Sequence, residues 1–173
     1  MGEYNLTAAI DADLPPGYSG RGRTGHMFYR GAAIVQAEDF FSLTGPGAKT
    51  EKSPPTTPGG EFDLSTSPGG EFEVSGIQST TQLLFAQVKG YPGGCTLSFR
   101  VSRGQPGVST MHLSNRRTGT VLGSCQVQST GQWTTYTDVH CGKLDQRDAS
   151  VDLLLSFEGD GEVVRIDYWQ CVQ

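Results

Sequence analysis

The sequence predicts an all-β protein, a sandwich or barrel of seven or eight short strands, and three observations carry that prediction. Glycine is abundant, 24 of 173 residues, and is scattered between short apolar runs, as a protein of many turns requires. Helix-favouring residues are scarce, while Ser, Thr and Val are plentiful. From Leu83 onward, short runs with strand-like patterning recur at near-regular spacing, each bounded by turn-forming residues.

Taken in order, residues 1 to about 31 lack sustained periodicity and contain Pro15-Pro16-Gly17 and Gly20-Arg21-Gly22-Arg23, so they read as an N-terminal arm or linker. Tyr4, Leu6, Ile10, Leu14, Phe28 and Tyr29 would let that arm dock on a surface. The folded module, residues 32–173, opens with a strand over Ala32–Glu38. Gly45 to Gly76 is loop-like, with Ser53-Pro54-Pro55 and two near copies of Pro-Gly-Gly-Glu-Phe at 58–62 and 68–72. Two copies suggest a local hairpin or paired turns, since a solenoid needs three or more repeats. Leu83–Lys89 is the next strand, closed by Tyr91-Pro92-Gly93-Gly94. In Cys95–Ser102, Leu97, Phe99 and Val101 face one way and Thr96, Ser98 and Arg100 the other. Ser109–Ser114, Thr120–Val127 and Trp133–Cys141 follow, then an inward row of Val151, Leu153, Leu155 and Phe157, then a closing strand over Glu162–Val172.

Composition narrows the function. Net charge is −5 and the 13 Lys and Arg are dispersed, which excludes the concentrated basic face that nucleic acid needs. No apolar run approaches the ~18–20 residues of a membrane-spanning helix. The start, Met1-Gly2-Glu3-Tyr4-Asn5, has neither the basic nor the apolar region of a signal peptide. Cys95, Cys125, Cys141 and Cys171 are even in number and lack Cys-x-x-Cys spacing, so they read as two disulfides rather than a zinc site. The chain therefore reads as a mature or recombinant segment of a secreted protein; the alternative is four reduced core cysteines in a cytosolic one. The Asn5-Leu6-Thr7 sequon adds little, because such triplets arise often by chance.

If Cys125 and Cys141 bridge antiparallel neighbours, symmetric pairing sets Val127 opposite Val139 and puts Trp133 at a hairpin tip, flanked by Ser129, Thr130, Gly131 and Gln132. An indole there is placed to meet a ligand. The alternative is a loop that folds back, so that Trp133 caps the end of the sandwich. Cys95 and Cys171 would then tie an early strand to the last.

Several stretches, in order, resemble a family 6 carbohydrate-binding module. Val35-Gln36-Ala37-Glu38-Asp39-Phe40 is similar to the family's opening strand. Gly119–Cys125 and Ser129–Tyr136 are similar to its xylan-binding members, and Arg165-Ile166-Asp167-Tyr168-Trp169 to its closing motif. The resemblance spans about residues 32–172, with a longer insertion around 52–75. It implies an antiparallel jelly-roll β-sandwich with a structural calcium (Ca2+), whose ligands carry over onto Glu38, Asp167, Gln36 and backbone carbonyls. The alternative is that Glu38 and Asp167 hydrogen-bond to neighbouring turns without metal. It also implies a sugar cleft among loops at one end of the sandwich, with Trp133 as the stacking platform and Glu51 as the acid on the sugar's hydroxyls. Gly76 stands where the family has a Tyr, and Arg165 where it has an Asn.

One indole face covering ~100 Å² of sugar contributes roughly 2.5 kcal/mol, whereas a millimolar complex needs about 4 kcal/mol. A second wall would have to come from Phe62, Phe72 or Tyr91, with the inserted loop and its two Phe residues, Phe62 and Phe72, the obvious candidate; an exposed loop Phe is more often a packing anchor. Arg165 either pairs an anionic sugar through its fork of donors or is a solvated charge at a strand edge.

No active site is expected. His26, His112 and His140 stand in unrelated contexts, and Asp11 with Asp13, and Asp160 with Glu162, read as solvated Gly-rich turns. Two function classes follow. The first is a non-catalytic module binding a polysaccharide, a β-linked glycan such as xylan or an anionic one, and tethering an appended glycoside hydrolase. The second is a structural or assembly subunit with a degenerate cleft, self-associating through residues 1–31.

Overall fold

Side chains on a strand alternate between its faces, so a period-two pattern decides what is buried. Leu97, Phe99 and Val101 are all 0% exposed, and Leu153 and Leu155 of a second row match them. The computed structural model describes residues 34–52, 72–88, 94–145 and 151–172. They form two antiparallel sheets packed face to face, the β-sandwich that the strand pattern predicts.

The strands in chain order are β1 (Ile34–Gln36), β2 (Ser42–Thr44), β3 (Lys49–Lys52), β4 (Phe72–Ile77), β5 (Gln82–Val88), β6 (Cys95–Ser102), β7 (Val108–Asn115), β8 (Val121–Gln128), β9 (Thr137–Leu144), β10 (Val151–Glu158) and β11 (Val164–Val172), with a short 3-10 turn at Ala37–Asp39. The first sheet runs β3-β4-β11-β6-β9, with β1 also paired to β11; the second runs β2-β5-β10-β7-β8. Between them, Trp169 of β11 meets Phe85 of β5 edge-on at 5.5 Å and tilts against Phe99 of β6 at 6.1 Å. Fully burying a large apolar side chain contributes roughly 1.5–3 kcal/mol, so these rows hold the sheets together.

Two sequence expectations are corrected. The stretch from Gly45 to Gly76 is not all loop: it contains β3 and β4, which pair Glu51 with Glu73. Its charged and polar residues face away from the core, which hides the strand signal. The predicted hairpin around Trp133 does not form either. Val127 pairs with Ser109 and Val139 with Phe99, because β8 edges the second sheet and β9 the first. The Cys125–Cys141 disulfide therefore joins the two sheets along their open side, with Cα atoms 4.5 Å apart. Glycine makes that approach feasible: a Cβ on Gly123 would lie 2.2 Å from the Cys141 carbonyl oxygen. Cys95–Cys171 links β6 to β11, Cα to Cα 5.4 Å. Residues 1–31, Phe62, Tyr91 and all of the two Pro-Gly-Gly-Glu-Phe copies except Phe72 lie outside the described residues, as does the side chain of Gln36.

Candidate functional site

The connection between β8 and β9, residues 129–136, crosses from one sheet to the other and comes down on the outer face of the first. Hydrogen bonds pin it there. The Ser102 hydroxyl donates to the Trp133 carbonyl (2.9 Å), the Thr130 amide to the Arg103 carbonyl (2.8 Å), and the Tyr136 hydroxyl to Glu73. The Trp133 ring is half-buried and lies outside the apolar core. An ideal Cβ on Gly104 would lie 2.6–2.7 Å from Cδ1, Nε1 and Cγ of that ring. Near-equal distances to three consecutive ring atoms put Gly104 against a face of the pyrrole, not its edge. Any side chain at 104 would push the indole off.

Over the ring stands Arg165, its guanidinium carbon 5.0 Å from the indole centroid. Three carboxylates hold that guanidinium: Glu162 at 3.0 Å, Glu73 at 3.1 Å and Glu51 at 3.3 Å. Lys49 sits 2.8 Å from the other oxygen of Glu51. Three acids against two bases leave the cluster with one net negative charge when all are ionised. Burial pushes the Glu73 carboxyl up, further than the Tyr136 hydrogen bond and the Arg165 charge bring it down. For Glu51 burial also pushes up, but the Lys49 hydrogen bond and the Arg165 charge help to outweigh it and the net displacement is downward. Burial and the Glu73 hydrogen bond both push the Tyr136 phenol up, so it stays a donor.

The structure thus brings Trp133, Glu51 and Arg165 together and adds Glu73, Glu162, Tyr136 and Gly104, to which the sequence assigned no part in the site. Arg165 is not a solvated edge charge; its side chain is 20% exposed and engaged through Nε and Nη1. Glu162 is not a solvated turn residue, for it pairs with Arg165 and accepts the Gly76 amide at 2.7 Å. Phe72 is 43% exposed, but it sits on the Val74 side of β4, opposite to Glu73, and so off this cluster. Gly76 has φ +67°, and a Cβ there would fall 2.1 Å from the Gly47 carbonyl oxygen. No aromatic fits at this position without moving backbone. Gly76→Ala is accordingly expected to cost at least about 2 kcal/mol in chemical denaturation, from the left-handed backbone and the collision together.

Asp167 lies at a bulge in β11, between Ile166 paired with Val101 and Tyr168 paired with Arg100. It is 3% exposed; Oδ2 is 3.4 Å from the Arg100 guanidinium, and buried Oδ1 has no hydrogen-bond partner among the described residues. Burial, with Glu73 and Asp138 nearby and only Arg100 opposing, pushes its carboxyl up to about 7. β1 pairs Gln36 with Tyr168, which brings Glu38, just past the strand, to the same part of β11. Among the described residues no three His, Cys, Asp or Glu converge on one point.

The described architecture has known counterparts. A family 6 module from Clostridium stercorarium, solved in complex with cellobiose, superposes with TM-score 0.62 at 22% identity, over 82% of this chain and 94% of its own. A β-1,3-glucan-binding module from Bacillus halodurans gives 0.61 at 20% identity, over 82% and 96%. A glycoside hydrolase family 43 arabinoxylan arabinofuranohydrolase from Bacillus subtilis gives 0.59 at 25% identity, over 82% of this chain and 27% of its own. Among curated protein sequences none matches. The model of the family described as "Carbohydrate binding module (family 6)" matches residues 36–173, and with that match the chain belongs to the family 6 carbohydrate-binding modules.

Proposed function

We propose that the chain is a non-catalytic module that binds a neutral β-linked polysaccharide, such as xylan or a β-glucan, on Trp133. The observation that carries this reading is an indole held by backbone bonds over a polar, hydrogen-bonding outer face, away from the apolar core. Solved relatives of the family bind cellobiose and β-1,3-glucan by their names, which supports the ligand class. The net negative cluster favours a neutral chain over an anionic one, because the Arg165 charge is already spent on three carboxylates. Two disulfides support a secreted protein. In such a protein the module would raise the local concentration of a tethered hydrolase on its substrate.

With Phe72 on the other face of β4 and Gly76 barred from carrying a ring, the described residues offer one indole and a few solvated hydrogen bonds, so we expect a Kd on the order of millimolar. Affinity electrophoresis on a panel of xylan, β-glucans and an anionic glycan tests this. Retardation by a neutral β-glycan is expected, and Trp133→Ala should weaken binding roughly 70-fold, the loss of about 2.5 kcal/mol of stacking. No retardation on any glycan would favour the assembly reading, which the barred aromatic at Gly76 and the engaged Arg165 also support. In that case deleting residues 1–31 should change the particle mass on sizing.

Calcium belongs to the same reading. Its support is the buried Oδ1 of Asp167, without a hydrogen-bond partner among the described residues and a hard oxygen of the kind the ion takes, with Glu38 near the same part of β11; Gln36 and carbonyls would complete the shell. Calcium at 100 times its Kd would stabilise the fold by about 2.7 kcal/mol. Melting in calcium against EDTA should show that gap, and Asp167→Asn should erase it. Equal melting temperatures in both buffers would refute the site.

A further inference from the structure

Arg103, just past β6, is 3% exposed, yet among the described residues no carboxylate stands at ion-pair distance from it. Its two terminal nitrogens reach carbonyls, while buried Nε has no hydrogen-bond partner among the described residues. Nη1 donates to Val163 O at 2.7 Å and approaches Glu162 O at 3.5 Å, and Nη2 donates to Pro106 O at 3.3 Å. Its main chain grips a third segment: the Arg103 amide donates to Thr130 Oγ1 at 3.1 Å, and the Thr130 amide donates back to Arg103 O at 2.8 Å.

A buried charge answered only by neutral carbonyls is an expensive way to fill space, and Met or Leu would fill it at lower cost. What arginine adds is a rigid fork of five donors able to hold several carbonyls at once. The held segments are the ones that build the site. The β8–β9 connection carries Trp133; the β6–β7 turn carries Gly104, on which the indole rests; the β10–β11 loop carries Glu162, which anchors Arg165. Each is a separate loop, and Arg103 touches all three.

We infer that Arg103 is the positioning residue of the Trp133 site: one buried guanidinium and its own peptide groups set the three loops relative to one another. The part of this inference that concerns affinity rests on the glycan-binding reading; the part that concerns loop geometry does not. The test labels the full chain with 5-fluorotryptophan, whose two 19F resonances report Trp133 and Trp169 separately and are assigned with Trp133→Phe. Arg103→Met is expected to shift and broaden the Trp133 resonance, leave that of the core Trp169 in place, and weaken binding of the best glycan in the panel at least tenfold, all well below the melting temperature. A core variant, Leu155→Ala, supplies the control: it should lower the melting temperature while leaving the Trp133 resonance and the affinity alone. Arg103→Lys keeps the charge without the fork and should recover less than half of the lost affinity. If Arg103→Met behaves like the control, or if Lys restores both readouts fully, the inference is wrong. Should the wild-type chain bind no glycan, the ligand reading fails while the 19F arm still decides this one.

Discussion

Replacing Cys95 and Cys171 together by alanine is expected to lower the unfolding free energy by about 4.5 kcal/mol. The two cysteines lie 76 residues apart, so the bridge removes a large share of the unfolded chain's freedom. Cys125 and Cys141 are only 16 apart, and the same reasoning gives about 3 kcal/mol for them. Against a typical total of ~5–15 kcal/mol, losing the first bridge brings the fold close to failure, and the thermal midpoint should fall by roughly 15 °C. The two losses differ in kind. Cys95 and Cys171 sit in the core between paired strands, so their removal should act on stability with little change in ligand affinity. Cys125–Cys141 spans the segment that carries Trp133 and closes the open side between the sheets, so its removal should weaken glycan binding as well. Denaturation and affinity measurements on both double variants, purified oxidised, check the ranking. A smaller loss for the 76-residue bridge would mean that native-state contacts, not chain freedom, dominate here.

The parts of the fold that the sequence announces are those where one strand face is uniformly apolar. Cys95–Ser102 is found at its expected bounds because Leu97, Phe99 and Val101 alternate with polar residues. β4 escapes for the opposite reason. In Phe72-Glu73-Val74-Ser75-Gly76-Ile77, two of the outward residues are buried, Glu73 and Ser75 at 0% and 1%, so polarity ceases to mark exposure. The alternation itself breaks at Gly76, whose φ of +67° accompanies a register shift that leaves Ile77 in the core with Val74, and glycine-rich neighbours and an apparent turn repeat mask what remains. The site divides similarly. Trp133, Glu51 and Arg165 are legible through motif position. Glu73, Tyr136 and Gly104 enter through contacts distant in sequence that only the fold creates: Gly104 meets Trp133 from 29 residues away, Tyr136 meets Glu73 from 63 and Glu73 meets Arg165 from 92; Glu162, three residues from Arg165, is fixed by the Gly76 amide 86 residues away. The hairpin inferred around Trp133 failed because a disulfide constrains distance and not hydrogen-bonded pairing, and here it joins two sheets.

Arg165→Met keeps most of the side chain's apolar length and removes the one cation shared by three acids, so it isolates the charge. Breaking a buried pair by deleting one partner costs about 3–5 kcal/mol, and the lower end applies here because Glu51 and Glu162 keep some contact with water. Glu73 does not; its side chain is 0% exposed, and it becomes the uncompensated charge. The pH dependence identifies it. A carboxyl raised above its unfolded value of 4.5 binds a proton on folding, so its contribution is fully present below 4.5 and is lost as pH rises through the folded value. Losing the Arg165 charge moves that folded value higher still. The deficit of the variant should therefore be small near pH 5 and largest near pH 8, as measured by urea denaturation at both. A second substitution, Glu73→Gln, leaves a neutral acceptor for the Tyr136 hydroxyl and should restore most of the stability at pH 8 while flattening the pH profile. The same pair also separates the two uses of Arg165. Its interaction with the indole is worth only about 0.5–1 kcal/mol at a partly exposed site, so the double variant should be nearly as stable as the wild type. Any remaining change in glycan affinity would then belong to the guanidinium's place over Trp133. A deficit equal at pH 5 and pH 8 would instead put the cost on lost packing, and Glu73 would not be the group that Arg165 exists to neutralise.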